Sequence, residues 1–286
     1  MPTILWLGDE LCHDIVMVGG KAANLSKLAS FHRVPPGFAI AAHGTSGMAA
    51  SGMPPELLSG IMEAYGRLVS LSGETDAPVA VRSSAIDEDG AAASFAGQHD
   101  TYLNIRGADR VLDAVIRCVA SARTPEALAY REKHGLPTDE VEIAVLVQAL
   151  VPSDVSAVVF SANPINGNRD EVVVNASWGL GESIVGGTVT PDTYVVRKKS
   201  MEVVSQVIAA KARMTVLDGH GTREVTVPRP MQNMPSLTAE QAVEMARLAV
   251  RLEERMGWPA DVECAIARDD LYLLQCRPIT TLPGRG

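Results

Sequence analysis

Val79-Ala80-Val81-Arg82-Ser83-Ser84-Ala85 says most about how this chain folds. A short apolar run of this kind predicts a buried strand. It runs into an arginine and two serines, and a guanidinium at a strand end needs water or an anion. The guanidinium fork suits a phosphate gripped at two points. Downstream come Asp87-Glu88-Asp89 and then Ser94-Phe95-Ala96-Gly97-Gln98-His99-Asp100-Thr101. Ser83, Ser84, Gly97 and Thr101 add hydroxyls and open backbone, the equipment of a phosphate cradle. The competing reading is a strand end whose arginine pairs with the acidic run at Asp87.

Upstream, Val18-Gly19-Gly20-Lys21 leads into Ala22-Ala23-Asn24-Leu25-Ser26-Lys27-Leu28-Ala29, which has helical spacing. Two glycines therefore open a helix, with Lys21 in its first turn. The helix dipole disfavours a cation there. A bound anion would reverse the penalty, because free N–H groups and the ammonium would both point at it. The alternative is a lysine turned to solvent.

At the other end, Asp261-Val262-Glu263-Cys264-Ala265-Ile266-Ala267 alternates strictly and predicts a strand. Leu271-Tyr272-Leu273-Leu274-Gln275-Cys276-Arg277 is its return, joined by a three-residue loop, Arg268-Asp269-Asp270, with Asp270 left-handed. That loop sets Glu263 opposite Gln275 and Asp261 opposite Arg277. Such a face makes sense beside Mg²⁺ and a triphosphate, since Mg²⁺ takes one or two carboxylates plus phosphate oxygens and waters. Glu263 is the stronger metal candidate and Gln275 the second; Arg277 would hold developing phosphate charge. A surface hairpin with an Asp261–Arg277 ion pair accounts for the same residues without a ligand.

These motifs, with Trp178-Gly179-Leu180-Gly181-Glu182-Ser183 between them, resemble the nucleotide-binding domain of the phosphoenolpyruvate synthase and pyruvate phosphate dikinase family. Rifampin phosphotransferases belong to the same family. The resemblance runs from Val18-Gly19-Gly20-Lys21 to Gln275-Cys276-Arg277-Pro278. It implies an α+β, two-lobed ATP-grasp fold with ATP bound between the lobes, here residues 1–140 and 141–286. It also implies that Lys21, Arg82, Gly97, Thr101, Gln148, Glu263, Gln275 and Arg277 contact the nucleotide. Lys21, Arg82 and Arg277 then act in catalysis, and Glu263 and Gln275 hold Mg²⁺. In the family, ATP ends as AMP, and the phosphoryl group passes to a histidine on a swivelling domain and on to pyruvate or a drug hydroxyl. His13, His32, His43, His99, His134 and His220 match no phospho-histidine motif. The histidine and acceptor domains are therefore expected in another chain or in a further part of a longer protein. Two other functions stay open: a free-standing ATP-grasp kinase or ligase giving ADP, and a non-catalytic nucleotide-binding regulator.

Composition bounds the rest. The chain has 286 residues, ample for a large core in one domain or two lobes. A net charge of −9 argues against non-specific nucleic-acid binding, and 4% aromatic residues against base-stacking platforms. Cys12, Cys118, Cys264 and Cys276 are scattered, as reduced cytoplasmic thiols are. No apolar run has membrane-spanning length and no leader is evident. Between the motifs, helices are expected over 56–71, 108–122, 124–134 and 238–256, and strands over 4–7, 34–40, 101–105, 141–148, 155–160 and 171–175. A hairpin is expected over 193–208. Residues 43–53 and the glycine-rich 178–187 read as a surface loop and a pliable loop, and Lys211, Arg213 and Arg223 as a solvated basic face.

Overall fold

A computed structural model of the chain describes residues 1–46, 48, 52–85, 101–133, 138, 141–280 and 282. They divide into two compact units, each with its own antiparallel sheet. The first comprises 1–150 with 219–221, and the second 151–218 with 222–286.

The first unit holds five strands, β1 (Ile4–Trp6), β2 (Gly37–Ile40), β3 (Val79–Ala85), β4 (Thr101–Ile105) and β5 (Ile143–Ala149), in the order β1-β2-β5-β3-β4. Apolar β3 and β5 lie at its centre, as buried strands should. The unit extends past the expected limit at 140 because β5 pairs with both β2 and β3. One sheet face is the main core. There Val79, Val81, Val145 and Val147 meet Leu57, Ile61 and Leu68 of the helix Pro55–Ser72 and Val111, Val115 and Cys118 of the helix Ala108–Ser121. The first of these helices has Pro55 in its first turn and ends on left-handed Gly73. The helix Pro125–Lys133 starts where Thr124 Oγ1 accepts the Ala127 N–H at 3.2 Å. The opposite sheet face carries the helix Ile15–Leu28, which packs on β3 and β5.

The second unit holds a six-stranded sheet of β6 (Val155–Phe160), β7 (Glu171–Trp178), β8 (Asp192–Arg197), β9 (Glu202–Val207), β12 (Ala260–Ala267) and β13 (Asp270–Pro278), in the order β13-β12-β6-β7-β8-β9. Val262, Val159, Val174 and Tyr194 form one row across four strands. This row faces the helix Ala239–Met256, whose approach is fixed by the Tyr194 hydroxyl donating to the Leu237 carbonyl at 3.0 Å. Thr238 and Gln241 form a reciprocal capping box, and left-handed Gly257 ends the helix, as the sequence predicts.

Three expectations change. Residues 43–53 are not wholly loop: Ala42–Thr45 is a short helix, with Thr45 Oγ1 donating to the Ile143 carbonyl at 2.6 Å. Beyond the expected elements, β10 (Arg213–Asp218) and β11 (Gly221–Thr226) form a hairpin. Its signal was the Asp218-Gly219 pair between β-branched runs, a standard turn dipeptide. Finally, Lys211 is not on a solvated face. It is fully buried, and its ammonium donates to Asp192 Oδ1 at 2.6 Å and to the Ala209 carbonyl at 3.0 Å. Buried Asp192 also accepts from the Ser236 N–H and hydroxyl, each at 2.7 Å, which satisfies a charge that burial would otherwise penalise heavily. Arg213 and Arg223 are exposed as expected, paired with Glu224 and Asp218.

Candidate functional site

In the first unit the candidate residues gather on the sheet face that carries the helix Ile15–Leu28. Gly19 breaks that helix, with φ 73° and ψ 168°, so Gly20 and Lys21 begin a new turn, close to the expected glycine-led start. The break brings the backbone onto β3. A Cβ at Gly19 would lie 2.0 Å from the Ser84 carbonyl oxygen and 2.5 Å from Ser84 Oγ. Ser84 Oγ accepts the Ala22 N–H at 3.2 Å, and the Lys21 ammonium donates to the Ser83 carbonyl at 3.2 Å. Lys21 is half-buried rather than swung freely into solvent.

The Ser84 contact shows which face of β3 meets the helix. Strand alternation puts half-buried Arg82 on the same face. Arg82 is the direct cross-strand partner of Thr101 in β4 and of Leu146 in β5. Gln148 lies opposite Ala80, one step along the same face. Gln148 is 3% exposed, and its amide donates to the Pro35 carbonyl at 3.2 Å, which also suits an ordinary strand-end amide. Thus Lys21, Arg82, Thr101 and Gln148 are brought to one face by β3 and its neighbours. Gly97 lies outside the described residues, as do Asp87 and His99.

In the second unit the hairpin β12–β13 sets Glu263 opposite Gln275 and Asp261 opposite Arg277, the pairings predicted from sequence. The loop differs. It has two residues, Arg268 and Asp269, both left-handed at φ 51° and 67°, and Asp270 already pairs with Ala267. A bulge between Glu263 and Cys264 leaves Leu274 as the extra residue on β13 and restores the register. Arg277 Nε donates to Asp261 Oδ2 at 2.8 Å, so the ion-pair reading of this face is also present. Asp261 is 7% exposed; burial pushes its carboxyl above the ordinary range, against the pull of Arg277 and with a further push from Glu263.

This face lies opposite the helix-packed one. Beside the Asp261–Arg277 pair, its donors to a cation are oxygens: the Glu263 carboxylate and the Gln275 amide carbonyl. Such a set fits a hard cation that takes its remaining ligands from phosphate and water. Among the described residues, no group of three or more His, Cys, Asp and Glu side chains is placed to hold a metal alone.

The segment from Trp178 to Ser183 is pinned rather than pliable. The Gly179 N–H donates to the Asp154 carbonyl and the Leu180 N–H to the Thr215 carbonyl, each at 2.9 Å. Ser156 Oγ donates to the Gly179 carbonyl at 2.8 Å. Gly179 has φ 77°, and a Cβ there would meet the Thr215 carbonyl at 2.4 Å, so its glycine serves close approach.

An arginine and a lysine on one sheet face, and side-chain oxygens beside an arginine on another, suit a protein that handles a phosphorylated ligand. Residues 45–285 match the family described as pyruvate phosphate dikinase, AMP/ATP-binding domain, and the chain belongs to that family. A probable phosphoenolpyruvate synthase of Methanocaldococcus jannaschii is 39% identical in an alignment spanning 99% of this chain and 27% of that protein. The phosphoenolpyruvate synthase of Pyrococcus furiosus is 45% identical over 80% of this chain and 29% of its own length. A rifampicin phosphotransferase of Streptomyces sviceus is 38% identical over 94% of this chain and 35% of its own. The chain therefore spans about a third or less of these relatives. Among solved structures, D-alanyl-alanine synthetase A of Vibrio cholerae aligns with 92% of this chain and 57% of its own at a TM-score of 0.37 and 15% identity, a likeness too faint to define the fold. No helix among the described residues is long and apolar enough to cross a membrane.

Proposed function

We propose that this chain is the ATP-binding component of a dikinase-type phosphotransferase with an ATP-grasp arrangement, working in the cytoplasm. It takes ATP to AMP and phosphate and passes the β-phosphoryl group to a histidine of a swivel domain or subunit, as a phosphoenolpyruvate synthase or drug phosphotransferase would. The observation that carries this reading is the β12–β13 register, which joins Glu263 to Gln275 and Asp261 to Arg277 on one face in a chain of this family.

The chain's own residues do mostly positioning and charge work, as phosphoryl transfer requires. Lys21, its ammonium already held by the Ser83 carbonyl, and Arg82 on the same face of β3 hold phosphate oxygens. Thr101, Gly97 and Gln148 complete the nucleotide contacts. Glu263 and Gln275 are the residues that would hold Mg²⁺, which when bound neutralises phosphate charge. Arg277, steadied by Asp261, faces the charge that develops as the phosphoryl group leaves. The partners are ATP, the histidine domain and an acceptor domain; neither nucleic acid nor membrane is a partner.

Nucleotide analysis tests the reaction. With MgATP and a histidine-bearing swivel domain, the expected products are AMP and phosphate. ADP as the product would establish a kinase or ligase instead. Tight ATP binding without turnover beside such a domain would leave a regulator.

A further inference from the structure

The sheet of the second unit carries more than the β12–β13 hairpin on its open face. Cross-strand partners define a single row: Gln275 opposite Glu263, Glu263 opposite Val158, Val158 opposite Asn175, and Asn175 opposite Thr193. Partners directly across a sheet point to the same side, so these five side chains share the face that bears the oxygen ligands. Half-buried Val158 separates Glu263 from Asn175. Two strand spacings put their backbones about 9–10 Å apart, a gap that a metal-bound polyphosphate can bridge.

Asn175 is held in a definite orientation. The Thr193 hydroxyl donates to Asn175 Oδ1 at 2.9 Å, which fixes the carbonyl end of the carboxamide toward β8. The amide nitrogen makes no hydrogen bond among the described residues, and it is not among their buried unsatisfied atoms, so its two N–H groups are presented on this face. A donor fixed beside a carboxylate site, with an apolar floor between, is complementary to an anion that the metal brings with it.

We propose that Asn175 is a further binding residue of this site, donating its side-chain amide to a phosphate oxygen of the nucleotide, and that Thr193 is its positioning residue. This rests on the MgATP reading above and adds a residue to it. Neither position carries charge or a recognisable motif, so only the strand register discloses them.

The test measures binding of MgATP, magnesium tripolyphosphate and adenosine to the full chain and to the variants Asn175→Ala, Asn175→Asp, Thr193→Val, Thr193→Ser and Glu263→Gln, with thermal melts as a folding check. Loss of a hydrogen bond to a charged acceptor predicts MgATP and tripolyphosphate binding about tenfold weaker in N175A. N175D, nearly the same shape but anionic, should lose at least as much. Adenosine affinity should not change. T193V should lose severalfold and T193S should match the wild type. Wild-type MgATP affinity in N175A beside a loss in E263Q would put Asn175 outside the site while the nucleotide reading stands. An equal loss for adenosine would overturn the phosphate contact in favour of base or sugar. If the wild type binds no MgATP, the nucleotide reading itself fails and this residue's role with it. Should N175A lack a cooperative melt, the Thr193 pair decides, and equal affinities for valine and serine there would overturn the proposal.

Discussion

Gly19 sets where Lys21 can be. Its left-handed φ and its approach to Ser84 each exclude a side chain, the first through backbone strain and the second through overlap with a carbonyl that is itself held in β3. Gly19→Ala should therefore cost ~2 kcal/mol or more, read as a lower urea midpoint, and weaken MgATP binding because the lysine rides on the same turn. An unchanged midpoint would contradict this account of the break. Asp261 gives a second prediction, on pH. Its folded value is raised above the ordinary 3.8, so the folded state keeps its proton longer than the unfolded chain. The stability this contributes is present below the ordinary value and is lost as pH rises through the raised one. Asp261→Asn removes that dependence. Its stability relative to the wild type should grow as pH is taken from about 4 to about 7; urea midpoints at each pH measure it, and a gap that is constant or closes would refute it.

The β12–β13 hairpin shows how much an element's sequence discloses. Alternation discloses its two strands and the face that carries Asp261 and Glu263. The partners Glu263–Gln275 and Asp261–Arg277 were also legible, although two compensating details were not: the turn is one residue shorter than expected, and Leu274 bulges to make up the difference. Alternation cannot distinguish a longer loop from a shorter loop plus a bulge, because both restore the same parity. The observed turn has its own consequence. Arg268 and Asp269 both carry positive φ, a conformation that suits Asn-Gly far better. The double variant Arg268→Asn, Asp269→Gly should be more stable by ~0.5–1 kcal/mol in denaturant unfolding, with nucleotide affinity unchanged, since the turn is remote along the strands from Glu263. A loss of stability would mean that the Arg268 and Asp269 side chains matter more than their backbone strain.

For the molecule as a whole, local patterns were readable and long-range pairings were not. Helix limits followed from caps such as Thr238 and Gly257, which are local chemistry. Lys211, near Arg213, has the sequence setting of a surface residue, and its burial depends on Asp192, 19 residues away, to which it donates. The first unit's limit at Leu150 likewise depends on β5 pairing with β2 and β3, which no periodicity reports. The place of Asn175 opposite Val158 and Thr193 is set by pairings of the same kind. The sequence does disclose two sets of candidate phosphate-binding residues, one on β3 and its neighbours and one on β12–β13, and the proposed function assigns both to one nucleotide. Calorimetric titration with MgATP should then give one binding event per chain. Arg82→Ala and Glu263→Gln should each weaken that same event about tenfold or more, as loss of a contact to a charged phosphate or its metal does. Combining them should leave little measurable binding. Two separable events, one sensitive to Arg82 and the other to Glu263, would mean that the two faces act on different ligands, and an undiminished affinity in the double variant would remove ATP from both.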